Sequence, residues 1–260
     1  MITSSKNPKI QWVSRLIRKS NARHADKAFV IEGVRLIEEA YFADWEINHI
    51  LYTETLSDRG MNLVNNFHGS ETEIEIVSEN VMRTISDTKN PQGITAVVGM
   101  QSLAVTDQLY LILILDQLRD PGNMGTLLRT CAAANVQAVF ITPNSVDIFS
   151  PKVLRAGMGA QFQIPILSAG WSEIKNLVSN SNLHVYLATS AGGSVYYEAE
   201  FQRPLALIIG GEAEGASEMA LQLADSYIKI PMPGGGESLN AAFAAGILLF
   251  EIARQREQKQ

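Results

Sequence analysis

Leu109-Tyr110-Leu111-Ile112-Leu113-Ile114-Leu115 runs directly into Asp116-Gln117-Leu118-Arg119-Asp120-Pro121-Gly122-Asn123-Met124-Gly125. A continuous apolar run bounded by a turn is what a strand buried on both faces of a parallel sheet shows. Pro121-Gly122 sets a tight turn, and Asn123 is a favoured N-cap for the helix that continues through Leu127, Leu128, Cys131 and Ala132. Further strands are expected at Ala138–Ile141, Gln163–Leu167, His184–Ala188, Leu205–Ile209 and Tyr227–Ile230. Helices fall between them, and a long one is expected from Leu239 to Arg254. Alternation of this kind implies an α/β fold with a mostly parallel sheet covered on both faces. The second domain is therefore drawn over 108–260.

Upstream, Trp12, Leu16 and Ile17 give residues 4–21 a loose helical apolar stripe. Strands are expected at Phe29–Ile31, Ile47–Tyr52, Glu73–Val77 and Gly93–Met100, with helical patterns after Gly33 and over Leu56–Phe67. Residues 1–100 thus form a smaller α/β domain, and the polar, small-residue stretch 101–107 is its linker.

Composition narrows the class. With 46% hydrophobic and 18% charged residues, the 260-residue chain can bury a full core. No apolar run approaches the roughly 20 residues needed to span a bilayer, and no secretory pattern opens the chain, so a cytoplasmic protein without a membrane partner is expected. Cys131 is the single cysteine, and His24, His49, His68 and His184 are scattered, so no metal site is expected. The total charge is −6, yet Lys6, Lys9, Arg15, Arg18, Lys19, Arg23, Lys27 and Arg35 face only Asp26 and Glu32 within residues 1–35. A local basic surface can grip phosphates whatever the sign of the total; a solvated helix face would carry the same charges. Lys6, Lys9, Arg15, Arg18, Arg23 and Arg35 are the candidate nucleic-acid phosphate contacts here. Lys152 and Arg155 are two more, against the alternative of a plain charged surface helix.

Ligands of parallel sheets bind beyond the carboxyl ends of the strands, where two more loops stand out. Gly210-Gly211-Glu212-Ala213-Glu214-Gly215 pairs glycines with a carboxylate, and Ile230-Pro231-Met232-Pro233-Gly234-Gly235-Gly236-Glu237-Ser238-Leu239-Asn240 carries three consecutive glycines. Glycines cost conformational entropy, so such loops usually serve a backbone role. Ser238 is placed to cap the closing helix. Each loop could equally be an ordinary turn.

Taken together and in order, Asn123–Arg129, Gly210–Gly215 and Ile230–Asn240 resemble the three motifs of the SpoU (TrmH-like) methyltransferases of the SPOUT superfamily. Phe29–Leu36 and Asn90–Ile94 resemble the start and close of that family's ribosomal-protein-like substrate-binding domain. The resemblance implies a C-terminal SPOUT fold with a deep trefoil knot, a homodimer, and S-adenosyl-L-methionine as cofactor. It further implies methyl transfer to a ribose 2′-hydroxyl of RNA, with 23S-type ribosomal RNA preferred because of the accessory domain. Carried over by motif, Arg129, Asn123, Glu212, Ser238 and Asn240 are the catalytic candidates, and Gly210, Gly211, Ile230, Met232, Leu239 and Asn240 hold the cofactor. Deprotonating an ordinary guanidinium at pH 7 costs roughly 7 kcal/mol, so a charged Arg129 that stabilises an incipient alkoxide is preferred to a neutral base. Two positions depart from the family: Ala241-Ala242-Phe243 replaces a common Val-Ser-Val, and Gly157 stands where serine is common. The competing readings are a tRNA 2′-O-methyltransferase, a catalytically silent RNA-binding module of the same fold, and a small-molecule methyltransferase.

Overall fold

The computed structural model describes residues 1–190, 192–211 and 215–257. In chain order the elements begin α1 (Pro8–Arg18), α2 (Ser20–Asp26), β1 (Ala28–Glu32), α3 (Val34–Phe42), β2 (Ile47–Tyr52), α4 (Asp58–Asn65), β3 (Glu73–Ile76), α5 (Glu79–Thr84) and β4 (Ile94–Gly99). They continue β5 (Leu111–Asp116), α6 (Pro121–Ala133), β6 (Ala138–Ile141), α7 (Pro151–Gly157), β7 (Ile166–Ser168), α8 (Trp171–Asn180), β8 (His184–Ala188) and β9 (Ser194–Val195). The last are β10 (Leu205–Gly210), α9 (Glu218–Leu223), β11 (Ser226–Lys229) and α10 (Ala241–Glu257). The chain divides into two compact units, 1–101 with 149–162 and 102–148 with 163–260. No helix among the described residues is long and apolar enough to cross a membrane.

The first unit is built on a four-stranded mixed sheet in the order β1-β4-β2-β3. Only β2 and β3 run parallel; β4 is antiparallel to both its neighbours. Phe29, Ile31, Ile37, Trp45 and Ile50 form one core with Leu154 and Phe162 from the 149–162 segment. Ile10, Val13 and Leu16 of α1 cover the other face with Val30, Leu51 and Val97.

The helical stripe over 4–21 is divided in two. Asn7 caps α1 by accepting from the Lys9 N–H at 2.9 Å, and Pro8 takes the first helical position, where no N–H is needed. Lys19 is extended (φ −126°, ψ 117°) and separates α1 from α2. Arg23 folds back from α2, and its Nη1 donates to the carbonyls of Leu16 (2.7 Å) and Ile17 (3.1 Å), which α1 leaves without helical partners.

The second unit carries a seven-stranded sheet in the order β7-β6-β5-β10-β8-β11-β9, with every pairing parallel. β5 is buried along its whole length, as its apolar run requires. β7 starts later than the apolar pattern suggests: Pro165 has no N–H to give a ladder, although its carbonyl accepts from Val139. β10 enters between β5 and β8, so strands 94 residues apart in sequence are paired at Leu205 and Leu111. α10 packs along α6 and β10. Ala242 and Ala245 are buried, and a Cβ on Gly246 would lie 3.8 Å from Thr130 Cγ2, so small residues set that close approach.

Candidate active site

Because the strands are parallel and Asp116 pairs in register with Gly210, the chain leaves β5 and β10 at the same end of the sheet. β8 and β11 end there too. The three glycine-bearing loops therefore converge.

The first loop opens on Asp116, a fully buried carboxylate. Its Oδ2 accepts from the Ser217 N–H at 2.6 Å, and its Oδ1 lies 3.3 Å from Thr142 Oγ1. Thr142 Oγ1 in turn accepts from the Gln117 N–H at 3.0 Å. One carboxylate thus ties the first loop to the second. The sequence reading passed over Asp116; its one signal was an acid closing an apolar run.

Asp120, not Asn123, caps α6: its Oδ1 accepts from the Asn123 N–H at 2.8 Å, with Pro121 at the first helical position. Asn123 is thereby carried into the first turn, where its Oδ1 accepts from Asn240 Nδ2 at 2.8 Å. Asn240 also replaces Ser238 as the cap of α10, accepting from the N–H groups of Ala242 (2.9 Å) and Phe243 (3.4 Å). Its carbonyl oxygen is engaged by two backbone donors, so the amide nitrogen is the atom that faces Asn123. Arg129 is exposed on α6, with no hydrogen bond or ion pair among the described residues. Glu212 lies outside the described residues.

In the second loop Gly211 and Gly215 form an antiparallel bridge, the Gly215 N–H donating to the Gly211 carbonyl at 3.1 Å. A Cβ on Gly210 would sit 2.7 Å from the Gly215 carbonyl carbon, and one on Gly211 would sit 2.6 Å from the Gln117 oxygen. Both atoms belong to backbone, so neither glycine tolerates a side chain without moving a loop.

Between the end of β8 and the second and third loops lies a cleft of about 570 Å³, within the usual range for a small-molecule site; no residue of the first loop, Asn123 and Arg129 included, is among its described lining. Gly210, Gly211, Ile230, Met232, Leu239 and Asn240 all line it, as does Ser238. Leu187, Ile209, Ile228 and Leu248 supply apolar walls, with Thr189 and Ser190 as polar additions. No lysine, arginine, aspartate or glutamate is among the described residues that line it. Apolar walls with exposed strand-end backbone suit an adenosine, and no cation among the described lining residues opposes a sulfonium. These residues fit S-adenosyl-L-methionine.

The basic candidates of the first unit separate into three groups. Lys6, Arg18, Arg35 and Lys152 are exposed and enter no ion pair among the described residues. Lys9 is held by Glu73 (2.5 Å) and Glu75 (2.8 Å), Arg15 by Asp26 (3.1 Å), and Arg155 by Asp87 (2.8 Å). Arg23 is a correction: only 4% exposed and spent on α1 carbonyls, it has no face to offer a phosphate. A Cβ on Gly157 would fall 2.7 Å from Oε1 of the buried Gln161, so a serine there requires the end of that side chain to shift. Ala242 is buried where the family's hydroxyl often stands. Cys131 is buried, and desolvation pushes its thiol far above the ordinary range.

The model of the SpoU rRNA Methylase family matches residues 110–250. The chain belongs to this family. Residues 7–96 match the MRM3-like substrate binding domain. The 23S rRNA (guanosine(2553)-2′-O)-methyltransferase RlmP of Bacillus subtilis is 32% identical over 258 residues, covering 96% of this chain and 98% of that protein. The human mitochondrial rRNA methyltransferase 3 is 30% identical, covering 95% of this chain and 72% of that one. Among solved structures, the SpoU methyltransferase AviRb from Streptomyces viridochromogenes in complex with AdoMet superposes with a TM-score of 0.86 at 26% identity, covering 97% of this chain and all of that one. As a SpoU family member the protein is an S-adenosylmethionine-dependent RNA methyltransferase.

Proposed function

We propose that the protein methylates a ribose 2′-hydroxyl in 23S-type ribosomal RNA. The observation that carries this reading is the Asn240–Asn123 hydrogen bond, which joins the rim of the cleft to the helix bearing Arg129. The match of residues 7–96 to a substrate-binding domain of rRNA enzymes supports ribosomal over transfer RNA.

When bound, S-adenosyl-L-methionine supplies a methyl group activated by a sulfonium. The chain's own residues do the rest. Ile230, Met232, Leu239 and the backbone at Gly210 and Gly211 hold and orient the donor. Asn123 and Asn240 fix the mouth of the cleft against α6. Arg129, exposed and in no ion pair among the described residues, takes the phosphate beside the attacked ribose and stabilises negative charge growing on its 2′-oxygen. Ser238 lines the mouth, and Glu212 is assigned to orienting the second loop. Alignment of oxygen and methyl carries most of the catalytic demand.

We also read the second unit as a deep trefoil knot, supported by β10 entering between β5 and β8 and by α10 returning along α6. A homodimer is supported by the apolar stripe Phe243, Ile247 and Phe250, which α10 leaves 73%, 38% and 53% exposed.

Incubation with methyl-labelled S-adenosyl-L-methionine and protein-free ribosomal RNA is expected to place label on a ribose, read as an alkali-resistant dinucleotide. Arg129→Ala should lower turnover at least about a hundredfold, the scale of losing one charge-stabilising donor, with donor affinity by calorimetry unchanged. Label on a base, or on transfer RNA alone, ends the assignment; full activity in the variant removes Arg129 from the chemistry.

A further inference from the structure

The first unit contains a second pocket, of about 270 Å³, that none of the methyl-transfer chemistry uses. Leu36, Leu154 and Met158 supply its apolar surface, and Arg35, Asn90, Gln92 and Arg155 its polar one. Its wall is built rather than incidental. Glu32 accepts from Ser86 Oγ (2.8 Å), Thr88 Oγ1 (2.7 Å) and the Asp87 N–H (3.2 Å), fixing the 86–88 turn. Asp87 then holds Arg155 at 2.8 Å. Gln92 Oε1 accepts from the Val34 N–H at 3.2 Å, and a Cβ on Gly33 would lie 2.9 Å from that same oxygen. Only glycine there lets the Gln92 amide lie over the start of α3.

The chemistry of the lining identifies a ligand class. With its oxygen engaged, Gln92 keeps two N–H donors, and the exposed Asn90 amide adds a donor and an acceptor. Carboxamides beside an apolar surface pair with the edge of a planar heterocycle, as they do with bases. Arg35 is exposed and in no ion pair among the described residues, which leaves its planar fork for a phosphate. A pocket of this size takes one base, not a helical stem, and proteins read RNA sequence mainly through unstacked bases.

We infer that this pocket receives one unstacked nucleotide of a single-stranded RNA segment, with the base over Leu36, Leu154 and Met158, its edge toward Asn90 and Gln92, and its phosphate at Arg35. This rests on the reading that the protein acts on RNA. Fluorescence anisotropy with the full chain and no donor present tests it, comparing labelled decauridine with an equally charged abasic decamer. Decauridine is expected to bind about tenfold more tightly, the scale of one stacked base. Arg35→Ala should weaken both probes, and Asn90→Ala with Gln92→Ala should bring the ratio of the two affinities close to one, while loss of the Gln92 bond to the Val34 N–H lowers the melting temperature by only a few degrees. Equal binding of the two probes by the wild-type protein overturns the inference, as does a ratio that survives the amide substitutions. Displacement of decauridine by submillimolar uridine monophosphate overturns the RNA assignment in favour of a free nucleotide. Because no methyl donor is used, failure of the methylation assay leaves this measurement intact, and the reverse holds.

Discussion

Asp116 carries the largest consequence of any single residue outside the motifs. It is a carboxylate without solvent contact, and it accepts from a backbone N–H on a loop 101 positions away. Asp116→Asn keeps the shape but can turn an N–H2 group toward the Ser217 N–H, leaving a buried donor facing a donor. The expected loss is roughly 1–3 kcal/mol in urea unfolding, together with at least a tenfold fall in kcat/KM as the second loop shifts against the first. Wild-type stability and rate in the variant would show that the loops are held by something else. Asn240 makes the same point about legibility: its type and place in the third motif were readable. That its oxygen caps α10 while its nitrogen reaches Asn123 depends on a fold that brings positions 123 and 240 together. Capping was misassigned at both helices by local reading, to Asn123 rather than Asp120 and to Ser238 rather than Asn240. Several residues in each loop can cap, and only the path of the chain chooses between them.

Among the elements, the pair α1 and α2 departs furthest from the periodic pattern. The apolar stripe continues across Lys19, because periodicity records which face is buried and not where the backbone turns. The turn is stabilised from α2 by Arg23, whose guanidinium satisfies carbonyls at the end of α1. Removing it strands those carbonyls in a buried place. Arg23→Met is expected to cost about 1.5–3 kcal/mol in a denaturant titration, the range for hydrogen bonds to a charged group, while affinity for RNA stays at the wild-type value. Weakened RNA binding in a variant of normal stability would return Arg23 to the phosphate-contacting set. The strands of the second unit were more legible. β6 and β8 begin and end where their apolar runs do, since buried parallel strands must be apolar along their length. β7 was misplaced by Pro165, and β9, two residues long, leaves no periodic trace.

On the scale of the molecule, α10 presents an unfinished surface. Phe243, Ile247 and Phe250 recur at helical spacing and remain exposed while Ala245, Leu248 and Leu249 on the opposite side are buried. Exposed aromatics in a contiguous stripe mark an interaction face. If two copies share it, the wild-type chain of 28.5 kDa sediments at twice its mass at micromolar concentration, and Phe250→Glu restores the single mass by placing two carboxylates against an apolar face. A wild-type protein that sediments as a single chain at that concentration removes the dimer. Read without its fold, the chain already determined a parallel α/β unit and the residue types in its three loops, because burial periodicity and turn chemistry are local properties of neighbouring residues. Tertiary structure alone decided that Asp116 binds the second loop, that Asn123 meets Asn240, and that Arg23 serves a helix end and not a phosphate. The first two outcomes follow from strand order, which inserts β10 between β5 and β8, and the third from the turn at Lys19 that folds α2 back on α1. Contacts across a hundred residues are set by which strands lie side by side, and that choice leaves no pattern in any one stretch of chain.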